Sequence, residues 1–115
     1  MQLAHEKKGN VVIVKPLEKR MDAVIAVDFR EEMEAFIKDG QTLFILDMSE
    51  IDFVDSSGLG AIMACLRMLG GKGDLMIAGA RGNVTSLIKL TRMDRVFQLF
   101  ANCDEALAGF PAENR

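Results

Sequence analysis

The chain has no long hydrophobic run, no cysteine pair at metal or redox spacing, no second histidine and no surplus of positive charge. Each absence removes a class of function. No apolar stretch approaches the ~18 residues of a membrane-spanning helix, which argues against direct membrane insertion. The first ten residues are polar and carry Glu6, Lys7 and Lys8, so they lack the apolar segment of a secretory signal, and cytoplasmic residence is expected. Cys65 and Cys103 stand far apart without a CxxC motif; they read as packed or idle thiols, not a disulfide framework. His5 has no Cys or His companion at ligand spacing, so neither a metal site nor a Ser-His-acid triad is expected. A formal net charge of -3 argues against a nucleic-acid role, which normally brings a basic surplus. Repeats, low-complexity tracts and linkers are also missing.

What remains is a chain of 115 residues, half of them hydrophobic, the size of a single folded domain spanning 1–115. Val11-Val12-Ile13-Val14, between Gly9-Asn10 and Pro16, reads as a strand paired with Gln2–Lys7 across a turn. Asp22 can cap a helix running to about Lys38, with Ile25, Phe29, Met33, Phe36 and Ile37 on its inner face, and Gly40 ends it. Leu43-Phe44-Ile45-Leu46 is apolar without alternation, as in a strand covered on both faces.

A second helix is expected from about Ser57 to Leu69, with Leu59, Ile62, Met63, Leu66 and Leu69 inward and Gly70-Gly71 as its stop. Leu75-Met76-Ile77 gives another strand, and Asn83–Met93 a third helix with Val84, Leu87, Ile88 and Thr91 inward. Val96–Ala101 reads as a last strand and Ala106–Phe110 as a final helical turn. Strands alternating with helices imply an α/β layered fold on a mostly parallel sheet of four or five strands, made mixed by its antiparallel leading edge, with about four helices.

The informative stretch is Ile51 to Gly60. Asp55-Ser56-Ser57 falls at a strand-to-helix turn, where a side-chain oxygen can satisfy orphan backbone N–H groups. One cap suffices, yet three polar residues stand in a row. Gly58 and Gly60 then occupy the first helical turn, where each costs ~1 kcal/mol relative to alanine. Glycines there leave room for an approaching partner or enzyme. An exposed serine at a helix N-terminus also suits phosphorylation: the added charge, roughly -1.5 to -2, is tolerated by the helix dipole. With Asp52 and Asp55 nearby, the modified patch would repel an acidic partner surface.

Phe53-Val54-Asp55-Ser56-Ser57-Gly58-Leu59-Gly60, followed by the helix Ala61–Leu69, resembles the signature of the STAS domain, and most of all that of bacterial anti-sigma factor antagonists. The similar order of elements extends the resemblance over nearly the whole chain. It implies that Ser56 is phosphorylated by the partner, an anti-sigma factor that is itself a serine kinase. The unphosphorylated form would bind that partner and release sigma factor to RNA polymerase, and a PP2C-type phosphatase would restore it. Asp22 matches the family aspartate that opens the first helix. The resemblance further implies that Asp55 positions Ser56, that Ser57 chiefly caps the helix, and that Asp22, Asp55, Ser56, Ser57, Gly58, Leu59 and Gly60 form the partner-binding surface. No catalytic residue, cofactor or metal is expected, since the sequence offers no paired acid and base, metal set or cofactor loop.

The chain departs from the family in one place. Pro16-Leu17-Glu18-Lys19-Arg20-Met21-Asp22 lacks the glycine of the usual Gly-x-[Leu/Ile]-Asp turn and is longer and more basic, which bears on partner identity. A second reading of the same resemblance is a STAS subunit of a signalling assembly or a lipid-transport complex. It would bind a cytoplasmic ATPase without a phosphorylation cycle, using Ser56 and Ser57 as interface and cap.

Other motifs fail. Met63 stands where a dinucleotide fingerprint needs glycine, and Gly70-Gly71-Lys72-Gly73 lacks the Lys-Ser/Thr ending of a phosphate loop. Met33, Met63 and Met76 fall on core stripes, and Arg81, Lys89, Arg92 and Arg95 read as a solvated basic face.

Overall fold

The computed structural model describes residues 1–115. Strand β1 (Leu3–Lys8) turns at Gly9-Asn10 and pairs antiparallel with β2 (Val11–Pro16). Gly9 sits at φ +61° with its Cα against the C-terminus, where a Cβ would lie 2.7 Å from the Asn114 carbonyl oxygen. Beyond β2 the sheet is parallel: β2 pairs with β4 (Leu43–Asp47), β4 with β6 (Asp74–Ala78) and β6 with β7 (Leu99–Phe100). The order is β1-β2-β4-β6-β7, a five-stranded mixed sheet with an antiparallel edge, as the element pattern predicts.

The connections carry α1 (Ala23–Lys38), α2 (Ser56–Leu69) and α3 (Gly82–Leu90). Strand residues of one parity, Val12, Val14, Phe44, Leu46, Leu75 and Ile77, meet the inner faces of these helices in a cluster of 22 buried residues. Residues of the other parity, Val11, Ile13, Ile45, Met76 and Ala78, join Ala106 and Phe110 beneath α4 (Cys103–Ala108) in a cluster of seven. Burial on both faces is why the central strands read as unbroken apolar runs.

Several details differ from the sequence-based expectation. Cys65 and Ala61 face inward on α2, while Met63 and Leu66 are only half-buried. Helix α3 ends at Leu90, before a 3-10 turn at Met93–Arg95, because Arg92 takes a left-handed φ of +61°. Thr91 is exposed, and its hydroxyl donates to the Leu87 carbonyl oxygen at 2.9 Å instead of facing the core. The last strand shrinks to two residues because Phe97 turns into the core and Val96 out to solvent. The last helix starts earlier, at Cys103, where Asn102 accepts a hydrogen bond from the Glu105 amide.

A second, two-stranded sheet was not legible in the sequence. β3 (Arg20–Met21) runs parallel to β5 (Phe53–Val54), with Arg20 opposite Phe53 and Met21 opposite Val54.

Candidate functional site

The short β3/β5 ladder sets the geometry of the site. Each strand is followed at once by an aspartate, and each aspartate caps a helix. The Ile25 amide donates to Asp22 Oδ1 at 3.1 Å and the Gly58 amide to Asp55 Oδ1 at 3.0 Å. The two ends are joined directly, since the Asp55 amide donates to the Met21 carbonyl oxygen at 3.3 Å. Helices α1 and α2 therefore start side by side and point their N-terminal dipoles the same way.

Asp55 supplies the cap, so Ser57 does not, contrary to the role the resemblance gave it. Ser56 and Ser57 are the first two helical residues, and both are exposed. Of the rest of the expected partner-binding set, Gly60 is exposed and Asp22 and Asp55 are half-buried. Gly58 and Leu59 are buried and offer no side-chain surface to a partner.

The two glycines have different causes. A Cβ on Gly58 would lie 2.6 Å from the Met21 carbonyl oxygen and 2.8 Å from Val54 Cγ1, so this glycine lets the first turn of α2 rest on the β3/β5 ladder. A Cβ on Gly60 would meet nothing within 4 Å. Clearing the surface for a partner, expected of both, can apply to Gly60 alone.

Upstream of β5, the Arg81 guanidinium at the start of α3 closes the loop. Its Nε and Nη2 donate to the Ser49 carbonyl oxygen at 3.2 and 3.0 Å, and Nη2 lies 2.8 Å from Asp52 Oδ1. Lys19 Nζ approaches the other oxygen of Asp52 at 3.9 Å. Asp52 is thus paired with two cations, which reduces the negative charge expected of it beside Ser56. Arg81 is engaged, unlike the solvated residue the sequence suggested. In the atypical connection, Arg20 stacks over the Phe53 ring at 4.4 Å, a cation–π contact that ties β3 to β5.

Sequence reasoning missed Val24 and Val27 on the first turns of α1. They are 72% and 48% exposed, apolar and directly beside the capped ends. Their signal was present: both fall off the helical stripe of Ile25, Phe29 and Met33, where an amphipathic helix normally carries polar residues. Away from this end, burial pushes the Cys65 thiol up to about 12. Cys103 also rises to about 12, through burial first and then through its hydrogen bond to the Asp47 carboxylate, at 3.3 Å. Neither is an activated thiolate at neutral pH. No helix is long and apolar enough to cross a membrane.

A sequence model of the STAS domain matches residues 2–106. The chain belongs to the STAS domain family. It is 30% identical over 101 residues to the anti-sigma-F factor antagonist RsfB of Mycobacterium tuberculosis, an alignment covering 87% of this chain and 82% of RsfB. Among solved STAS structures, an anti-sigma factor antagonist from Mycobacterium paratuberculosis superposes with a TM-score of 0.84 at 28% identity, covering 94% of this chain and 92% of that one. The phosphorylated form of the Bacillus cell-fate determinant SpoIIAA shares the fold, with a TM-score of 0.72 at 18% identity over 93% of this chain and 97% of its own. These comparisons place the STAS domain described here in the anti-sigma factor antagonist family.

Proposed function

We propose that this STAS domain binds an anti-sigma factor with serine kinase activity, and that phosphorylation of Ser56 ends the binding. The observation that carries the reading is the division of roles at the start of α2. Asp55 makes the cap, leaving the Ser56 hydroxyl exposed on the first helical residue. In the transfer, Ser56 Oγ forms a bond to the γ-phosphorus of ATP as the bond to the bridging oxygen breaks. ADP leaves, and the hydroxyl proton passes to a base of the kinase. The phosphate would lie at the N-termini of two parallel helices, whose dipoles favour an anion.

Asp22 and Asp55 are already at that end, so each added negative charge changes the surface a partner meets while the hydrogen bonds within the chain persist. The family relatives named as anti-sigma factor antagonists, and a structure of this fold in phosphorylated form, support the same reading. Release of sigma factor to RNA polymerase and reversal by a PP2C-type phosphatase complete the cycle. In that reversal, water attacks phosphorus and the Ser56 oxygen is the leaving group.

The test is to incubate the protein with ATP alone and with its cognate anti-sigma factor, then map phosphate by mass spectrometry. Phosphate on Ser56 only when the kinase is present, and loss of kinase binding by Ser56→Asp, are the expected results. Phosphate confined to other residues, or unchanged binding by Ser56→Asp, overturns the proposal.

A further inference from the structure

Between α1 and α2 runs a groove of about 400 Å³ that starts at Ser57 and Gly60 and ends between Arg30 and Arg67. Its floor is low because Ala26 on α1 and Ala61 and Ala64 on α2 line it with methyl groups alone. Ten residues of α2 separate Ser57 from Arg67, so at 1.5 Å per residue the groove is about 15 Å long, close to three helical turns. The rim on the α1 side is Val27, and Val24 stands one turn nearer the capped end, both substantially exposed. At the far end Arg30 and Arg67 are exposed, and neither takes part in the ion pairs of the fold, which involve Asp28, Asp52 and Glu34 with other cations. An apolar trough between parallel helices, closed at one end by two exposed guanidiniums that make no salt bridge, fits one kind of occupant: an amphipathic helix with small apolar side chains inward and carboxylates at the arginine end.

We infer that this groove docks an acidic amphipathic helix of the partner protein. The identity of the partner rests on the proposed function: an enzyme that reaches Ser56 must sit against this end of α1 and α2, and the groove opens there. The arginines then contribute recognition at a distance from the phosphate acceptor. Ser56 decides whether the partner can stay, and Arg30 and Arg67 decide which partner fits.

The first experiment uses the intact protein and two synthetic peptides. Both place alanine on one helical face; one carries glutamate on the other face, the second lysine. In NMR titration the glutamate peptide should shift the amides of Val27, Gly60 and Ala64, and bind about tenfold more tightly than the lysine peptide. The Arg30→Glu/Arg67→Glu protein should reverse the preference, while Arg30→Lys/Arg67→Lys keeps it. Circular dichroism should show all of these exposed-site variants folded. Equal binding of the two peptides, shifts confined to other surfaces, or a self-association that the glutamate pair abolishes and that moves the same three amides, overturns the inference; the last result would assign the groove to a second copy.

The second experiment measures affinity for the cognate anti-sigma factor. A loss of about tenfold or more in the Arg30→Glu/Arg67→Glu protein supports the groove. If Ser56 is phosphorylated and the double variant binds like the parent, the groove fails and the switch stands. If binding depends on the arginines and Ser56 is never phosphorylated, the switch fails and the groove stands.

Discussion

Asp22 and Asp55 are structural equivalents: each directly follows one strand of the same parallel pair, and each accepts a hydrogen bond from the amide three residues on. The pairing of Met21 with Val54 carries this equivalence, since it brings the two chain segments level just before they turn into helices. The site is thus built from a repeated local unit, strand–aspartate–helix, placed twice in one plane.

Replacing either aspartate by alanine should cost about 1 kcal/mol, and replacing it by asparagine much less, because the amide oxygen can still accept. Since Asp55 also donates its backbone N–H to Met21, the losses in the double alanine variant should not be independent. Urea unfolding of the two single variants and the double would measure the coupling. Strict additivity would argue that the two helix starts are not mechanically joined.

Gly58→Ala and Gly60→Ala should move stability in opposite directions. The added methyl at 58 meets the Met21 carbonyl oxygen and Val54, an overpacking expected to cost about 1–3 kcal/mol. At 60 it meets nothing, and the gain in helix propensity is about 1 kcal/mol. Thermal melts of the two variants would decide, and a stabilised Gly58→Ala would contradict the packing described at the ladder.

Arg81→Ala should loosen the loop that leads into β5. It removes the ion pair with Asp52 and two hydrogen bonds to the Ser49 carbonyl oxygen, yet all are exposed, so the global loss should be about 1 kcal/mol or less. The larger effect should be local. Asp52 and Phe53 amides, which donate to the Lys19 carbonyl oxygen at 2.7 and 3.2 Å, should exchange with solvent faster, as hydrogen exchange would report. Arg81→Lys should not restore protection, because an ammonium cannot reproduce the two-nitrogen contact.

The buried thiol gives a pH dependence of known sign. Cys65 titrates near 12 in the fold against about 9 for an ordinary thiol, because burial disfavours the thiolate. The folded state therefore holds the proton where the unfolded chain releases it. This contribution is complete below pH 9 and is lost as pH rises toward 12. Melting temperature should fall more steeply between about pH 9 and about pH 12 in the parent than in Cys65→Ala, whatever the variant's absolute stability. Equal slopes would mean the thiol is not shielded from water.

Much of the fold was legible because its signals are local. Gly9-Asn10 marks the hairpin, Asp22 the start of α1, and Gly70, in the left-handed region at φ +57°, the end of α2. The β3/β5 ladder was not legible, because two residues on each side carry no periodicity and Arg20-Met21 looks like connecting chain. Its existence depends on a register between segments more than thirty residues apart, which no window contains.

The candidate site shows the same limit. Asp55, Ser56 and Ser57 can all cap a helix, and the choice among them is set by where β5 stops. Gly58 and Gly60 look alike in sequence, but only the fold reveals that one faces a carbonyl and the other open space. Arg81 looked like part of a diffuse basic face, since its partners Ser49 and Asp52 are brought to it by the sheet.

The capping of α2 by Asp55 has an evolutionary consequence. Because residue 56 carries no hydrogen bond that the helix needs, its identity is nearly free of folding constraint. Alanine, threonine or aspartate there should leave the scaffold unchanged. A lineage could therefore gain, lose or lock a regulatory chemistry at this position in one substitution, without passing through an unstable intermediate. Gly58, two residues later and facing inward, has no such freedom. Descendants of such a scaffold should diverge at 56 and stay uniform at 58.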